Sequence, residues 1–266
     1  MKRMKNDRLE SQIAQVAEVA GYLWQRGWAE RNGGNISVNV TDLLTESEKA
    51  LPAISESYAL PKTMKWLKGN CFLVTGTNRR MRYVASQPME NMAIIRIDNA
   101  GDTYEIIADN PVRPTSELPS HLSMHDYLKG QGIDNKVVLH THPTDLVAMT
   151  HYRPFLQPDV LGKLLWSMIP ETRVIVPKGL GIVPYELPGS MALADATIQL
   201  LDRYDVVMWE KHGALAVGSD VIECFDMIDT LSKSAQIYLQ ARAMGFEPEG
   251  MTEAQSEELR KAFHLC

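Results

Sequence analysis

Apolar residues recur near the start of the chain at Leu9, Ile13, Val16, Ala20, Leu23 and Trp24. That spacing makes one helical stripe and predicts a helix over residues 9–25, stopped at Gly27. After the turn-forming RNGGN at 31–35, the alternating ISVNV predicts a strand. Polar clusters, prolines and acids over 41–68 predict a long loop with little regular structure. CFLVTGT (71–77), NMAIIRID (91–98) and DTYEII (102–107) predict further strands. A helix is expected over 116–129, with Ser116 as N-cap and Pro119 in the first turn, where its missing N–H costs nothing. KVVLH (136–140) predicts a buried strand, and helices are expected over 143–152 and 158–167. TRVIVP (172–177) and GIVP (181–184) read as strands, and 191–204 as a helix. Residues 205–218 read as a strand pair broken at His212–Gly213. A long amphipathic helix over 220–244 and a shorter one near the end close the pattern.

Strands and helices are interspersed, and no compositional break or repeat divides the chain. The expectation is a single α/β domain over residues 1–266. Apolar residues make up 45% and charged residues 23% of the 266, enough for a core of ordinary size. A formal charge of −6 leaves no electrostatic footprint for nucleic acid or an anionic membrane, so neither is expected as a partner. An anionic small molecule stays open, because backbone N–H groups bind phosphate without lysines. Cys71, Cys224 and Cys266 are odd in number and scattered, which fits a reducing cytoplasm rather than a disulfide framework. No apolar run reaches membrane-spanning length, and the basic amino terminus lacks a signal-peptide core. The expected location is the cytoplasm.

Within this frame the sharpest chemical signal is His140-Thr141-His142 at the end of an apolar strand. Alternation puts both imidazoles on one face, close enough to share a metal. A His-x-His pair alone is more often incidental. His212, where the run VVMW ends, strengthens it: three protein ligands with one open position is the pattern of a catalytic zinc site. His212 opening a plain turn is the competing reading. Glu117 sits in the first turn of its predicted helix, where acids commonly complement the dipole, so position alone demands no catalytic duty. As an acid or base near a metal, it depends on the fold to reach the histidines. Glu117, His121 and His125 share a helix face at i, i+4 and i+8, but that span is too long for one ion. His121 and His125 therefore read as core or supporting residues, and the Trp24/Trp28 pair as core. RNGGN and TGTN (75–78) are short turns that also suit anion nests. With Thr115 and Ser116 they make a neutral donor set for a phosphomonoester.

Taken in order, Asn32-Gly33-Gly34-Asn35, Thr75-Gly76-Thr77, Thr115-Ser116-Glu117, His140-x-His142 and Lys211-His212-Gly213 resemble the class II aldolase/ribulose-phosphate epimerase family. The resemblance extends from the first helix to about residue 244. It implies a central mixed sheet covered by helices on both faces, in a homotetramer with active sites at subunit interfaces. It further implies one Zn²⁺ per subunit on His140, His142 and His212, with Glu117 as acid/base. Asn32, Gly34, Asn35, Thr77, Thr115 and Ser116, with Thr75 and Gly76, match positions around the phosphate and the reacting carbons. Glu171, just before TRVIVP, matches a glutamate that acts at the aldehyde end of a neighbouring subunit's site. The implied reaction is retro-aldol cleavage of a phosphorylated ketose to dihydroxyacetone phosphate and an aldehyde. The rival is 4-epimerisation of ribulose 5-phosphate, whose enzymes typically carry Asp at the position of Glu117 and are shorter. A non-catalytic metal-binding protein is a remote third. Thr77 stands where the family has serine, and Pro143 and Asp145 depart from the usual small residues.

Overall fold

The first helix is set by its cap. The Asn6 side chain accepts the backbone N–H groups of Arg8 and Leu9, satisfying donors that the helix leaves open. The computed structural model describes residue 4 and residues 6–265, so Cys266 lies outside the described residues. The first half of the chain forms α1 (Asp7–Gln25), β1 (Asn35–Asn39), α2 (Glu46–Lys49), β2 (Tyr58–Ala59), β3 (Cys71–Thr75), α3 (Met81–Ser86), α4 (Pro88–Asn91), β4 (Met92–Ile97) and β5 (Thr103–Ile106). It continues with α5 (Leu118–Gly130), β6 (Val137–Thr141), α6 (Thr144–Met149), α7 (Pro158–Met168), α8 (Pro170–Ile175) and β7 (Leu180–Val183). The remainder is α9 (Met191–Ile198), β8 (Val206–Trp209), β9 (Gly213–Gly218), α10 (Val221–Ala243) and α11 (Glu253–Ala262).

The strands join one mixed sheet in the order β2-β5-β4-β3-β1-β6-β9-β8-β7. Neighbours are antiparallel except β7 and β8, which are parallel. Alternation sends Ile36, Leu73 and Leu139 to one face, where they pack with Leu23 of α1, Leu165 of α7 and Leu231 of α10. Phe72 and Val74 go to the other face with Leu118 and Leu122 of α5, and Val138 joins Leu128 and Leu193 there. Helices thus cover both faces. Among the described residues, no helix is long and apolar enough to cross a membrane.

Several expectations change. TRVIVP is not a strand: α8 covers Pro170–Ile175, with Pro170 in its first turn. Tertiary packing overrides the β-branched propensity, since the Thr172 hydroxyl meets Ser234 Oγ at 2.6 Å inside the core. Arg173 also lies 3.9 Å from the centre of the Trp166 ring. The helix expected over 191–204 ends at Ile198, and tight turns carry Leu200 and Tyr204 onto Gly181. The stretch 41–68 is not featureless: α2 carries a Thr45–Glu48 capping box, and β2 extends the sheet edge. Helices α3 and α4 fill a stretch that carried no prediction. Trp28 is buried, but Trp24 is exposed beneath the Arg82 guanidinium. Ser116 does not cap α5; Glu117 is the cap residue, and its N–H is taken by Thr115 Oγ1 at 3.3 Å.

Candidate active site

His140 lies next to the end of β6, on the α5 side of the sheet with Val138, and His142 follows just beyond the strand. The β8–β9 turn brings His212 to them, through Lys211 in the left-handed region at φ 59°. Gly213 permits the approach. A Cβ there would lie 2.5 Å from the Thr141 carbonyl and 2.8 and 2.9 Å from the rings of His140 and His142. The three ligand atoms lie within 4.8 Å of one another.

The hydrogen bonds of this cluster specify what it can hold. His140 Nδ1 donates to the Ala214 carbonyl at 2.9 Å, and His142 Nδ1 to the Glu30 carboxylate at 2.7 Å. Each ring then presents its Nε2 lone pair, and the two face each other across 3.2 Å. His212 Nδ1 is buried with no hydrogen-bond partner among the described residues. A cation between the rings relieves the facing lone pairs. Burial, with the neighbouring histidines, pushes His140 well below its ordinary pKa and brings His212 down to about 4, so both are neutral ligands at pH 7. Trp209 packs 4.4 Å from His140 and is fixed by its own bond to Thr197 at 2.9 Å.

Glu117 faces this cluster from the start of α5. Its carboxylate accepts from Asn35 Nδ2 at 2.9 Å. Burial raises its pKa above the ordinary carboxylate value, against the opposing pull of Asn35 and His142. The cleft between them holds about 180 Å³ and is lined by Asn32, Gly33, Gly34, Asn35, Gly76, Thr77, Asn78, Thr115, Ser116, Glu117 and the three histidines. Arg31, Gly34 and Asn78 take positive φ values of 48°, 76° and 55°, the backbone form that turns successive N–H groups inward. Among the described residues no lysine or arginine lines it, so an anion would be held by neutral donors. A larger depression of about 310 Å³ lies between α7 and α11 but carries no comparable cluster; chemistry rather than size selects the cleft.

The fold therefore gathers Asn32, Gly34, Asn35, Gly76, Thr77, Thr115 and Ser116 with Glu117 and the histidines. Thr75 stays apart. It shares strand parity with Cys71 and Leu73, and its buried hydroxyl takes the Ile36 N–H at 3.0 Å. Glu171 is exposed in the first turn of α8, preceding a helix rather than a strand, and does not line the cleft of its own chain. Asp145 turns to α10, accepting from Gln236 at 2.8 Å. His121 and His125 are buried and bonded to Ser37. Sequence reasoning missed Glu30 and Trp209, while Gly33 and Asn78 lay inside the turns RNGGN and TGTN it had read as donor turns. For Glu30 and Trp209 the available signal was adjacency to motif residues, but an exposed acid such as Glu30 carries no mark of its partner.

Residues 14–239 match the family model described as Class II Aldolase and Adducin N-terminal domain. A rhamnulose-1-phosphate aldolase of Bacteroides thetaiotaomicron is 54% identical over 97% of this chain and 96% of its own length. Another from Listeria welshimeri is 34% identical over 92% and 88%. The crystal structure of a sugar-phosphate aldolase from Thermotoga maritima superposes with a TM-score of 0.79 at 31% identity, covering 91% of this chain and 99% of that one. With the histidine cluster, the buried glutamate and these likenesses together, the chain belongs to the class II aldolase family.

Proposed function

We propose that the protein holds one zinc ion per subunit on His140, His142 and His212 and cleaves L-rhamnulose 1-phosphate to dihydroxyacetone phosphate and L-lactaldehyde. It does so as a cytoplasmic homotetramer with active sites at subunit interfaces. The observation that carries this reading is a buried carboxyl group, Glu117, facing three clustered imidazoles across a cleft of neutral donors. The name and 54% identity of the Bacteroides relative support the choice of sugar.

Held by His140, His142 and His212, a zinc ion would supply the Lewis-acid charge that stabilises the negative charge developing as the carbon–carbon bond breaks. Asn32, Gly34, Thr77, Thr115 and Ser116 bind the phosphate end and fix the reacting carbons. Glu117 gives a proton to the carbon left by cleavage and removes it in synthesis. Burial moves its pKa upward, toward the range in which one carboxyl group serves as both acid and base. The cleft, at about 180 Å³, is smaller than the roughly 300–1,000 Å³ of sites that enclose a whole ligand. It suits the three-carbon phosphate half and leaves the aldehyde end at the mouth. Glu171 of a neighbouring subunit, exposed at the start of α8, then serves the hydroxyl proton at that end.

The test is release of dihydroxyacetone phosphate from L-rhamnulose 1-phosphate by the zinc-loaded protein, read through a coupled NADH assay, with L-fuculose 1-phosphate and a chelated sample alongside. Faster release from the rhamnulose ester, abolished by chelation, is expected. No release from either sugar sinks the aldolase reading and leaves ribulose 5-phosphate epimerisation as the next reaction to measure.

A further inference from the structure

Beneath the cleft, α5 lies along β1 with matched repeats. Four residues of helix advance about 6 Å and two residues of strand about 6.6 Å, so every fourth residue of one can meet every second of the other. Glu117, His121 and His125 of α5 meet Asn35 and Ser37 of β1 in this way. Glu117 bonds Asn35 Nδ2 at 2.9 Å, and Asn35 Oδ1 bonds His121 Nε2. His121 Nδ1 lies 2.8 Å from Ser37 Oγ, which lies 2.9 Å from His125 Nε2. All four supporting side chains are buried: Ser37 and His121 are 0% exposed, His125 2% and Asn35 7%.

The donor and acceptor inventory then fixes each proton. An ionised Glu117 only accepts, so Asn35 must turn its NH₂ toward it and its carbonyl oxygen toward His121. That oxygen requires a proton on His121 Nε2, which leaves Nδ1 as an acceptor. Ser37 must donate to Nδ1, and its oxygen is then free to accept from His125 Nε2–H. No link can be reversed alone without setting two donors or two acceptors against each other inside the core.

We propose that His121, Ser37 and His125 are positioning residues that lock the Asn35 carboxamide, and through it the orientation of the Glu117 carboxylate. This rests on the reading of Glu117 as the acid/base. The half-reaction that isolates it is exchange of a hydroxymethylene proton of dihydroxyacetone phosphate with D₂O, in zinc-loaded protein without aldehyde. His121→Leu is expected to slow exchange at saturation about ten- to a hundredfold, with half-saturation and zinc content unchanged. His121→Gln, whose amide can stand at the Nε2 position and donate to Asn35, should recover most of the rate. His125→Leu should cost a few-fold. Nitrogen-15 imidazole spectra of the wild type should show His121 and His125 as neutral Nε2–H tautomers, a readout that needs no variant to fold. An Nδ1–H tautomer at His121 overturns the proposal. So does an unchanged exchange rate in His121→Leu, or no rescue by His121→Gln where that variant folds and keeps its zinc. Absence of exchange in the wild type would instead remove the Glu117 reading, and this inference with it.

Discussion

Two groups of histidines sit within one stretch of this fold, and their hydrogen bonds separate them. His121 and His125, packed between α5 and β1, spend their assigned bonds on Asn35 and Ser37. At the open end of the same sheet His140 and His142 turn lone pairs toward each other, and His212 Nδ1 beside them has no partner among the described residues. Burial lowers the pKa of His121 and His125 to about 3, that of His212 to about 4 and that of His140 well below its ordinary value. Low pKa therefore does not distinguish support from ligand. Mutually unsatisfied acceptors do, because only a cation makes their arrangement favourable.

The largest test of this contrast is His140→Ala, which should abolish both bound zinc by metal analysis and aldol cleavage. His121→Gln should keep its zinc. Glu117→Gln should retain zinc yet lose about 10²- to 10⁴-fold in turnover, the range of a lost acid/base, measured by the coupled assay. Retained turnover would move the proton chemistry elsewhere. Glu30→Gln should weaken zinc about ten- to a hundredfold in competition with a chelating dye, because the carboxylate fixes the tautomer and orientation of His142. Unchanged affinity would reduce the Glu30 contact to a surface bond. The smallest effect concerns acid stability. Folded His121 and His125 titrate near 3 and unfolded histidine near 6.5. The unfolded chain binds more protons between those values, so stability falls as pH drops below about 6.5 and stops falling on this account near 3. In urea titrations of the metal-free protein, His121→Gln should flatten that fall by about 1.4 kcal/mol per pH unit.

Legibility of the sequence followed the range of the interaction that decides each feature. His140-x-His142 could be read because strand alternation is local, and His212 because a run of apolar residues ended there. The neutral donor turns were legible as turns, while their convergence with Glu117 came from family resemblance. Thr75 was misplaced within a motif of real site residues, since its strand parity turns it toward Ile36. TRVIVP failed as a strand because the packing of Thr172 on Ser234 and Arg173 on Trp166 involves other helices. The i, i+4, i+8 line of Glu117, His121 and His125 was visible as geometry. Its purpose was not, because Asn35 and Ser37 occupy a strand far earlier in the chain.

Gly213 and the sheet order also carry a consequence for the order of folding events. His140 and His142 are neighbours in sequence, but His212 reaches them only when β6 has paired with β9. The donor turn at Asn35 arrives only when β1 has paired with β6. Both are long-range closures, slow to form and costly in chain entropy. On the proposed zinc site, the ion would find its complete set of ligands only in a chain whose central strands have already assembled. It would act as a late lock on the finished sheet, so zinc should leave the refolding rate nearly unchanged and slow the unfolding rate, as stopped-flow traces with and without the metal would record.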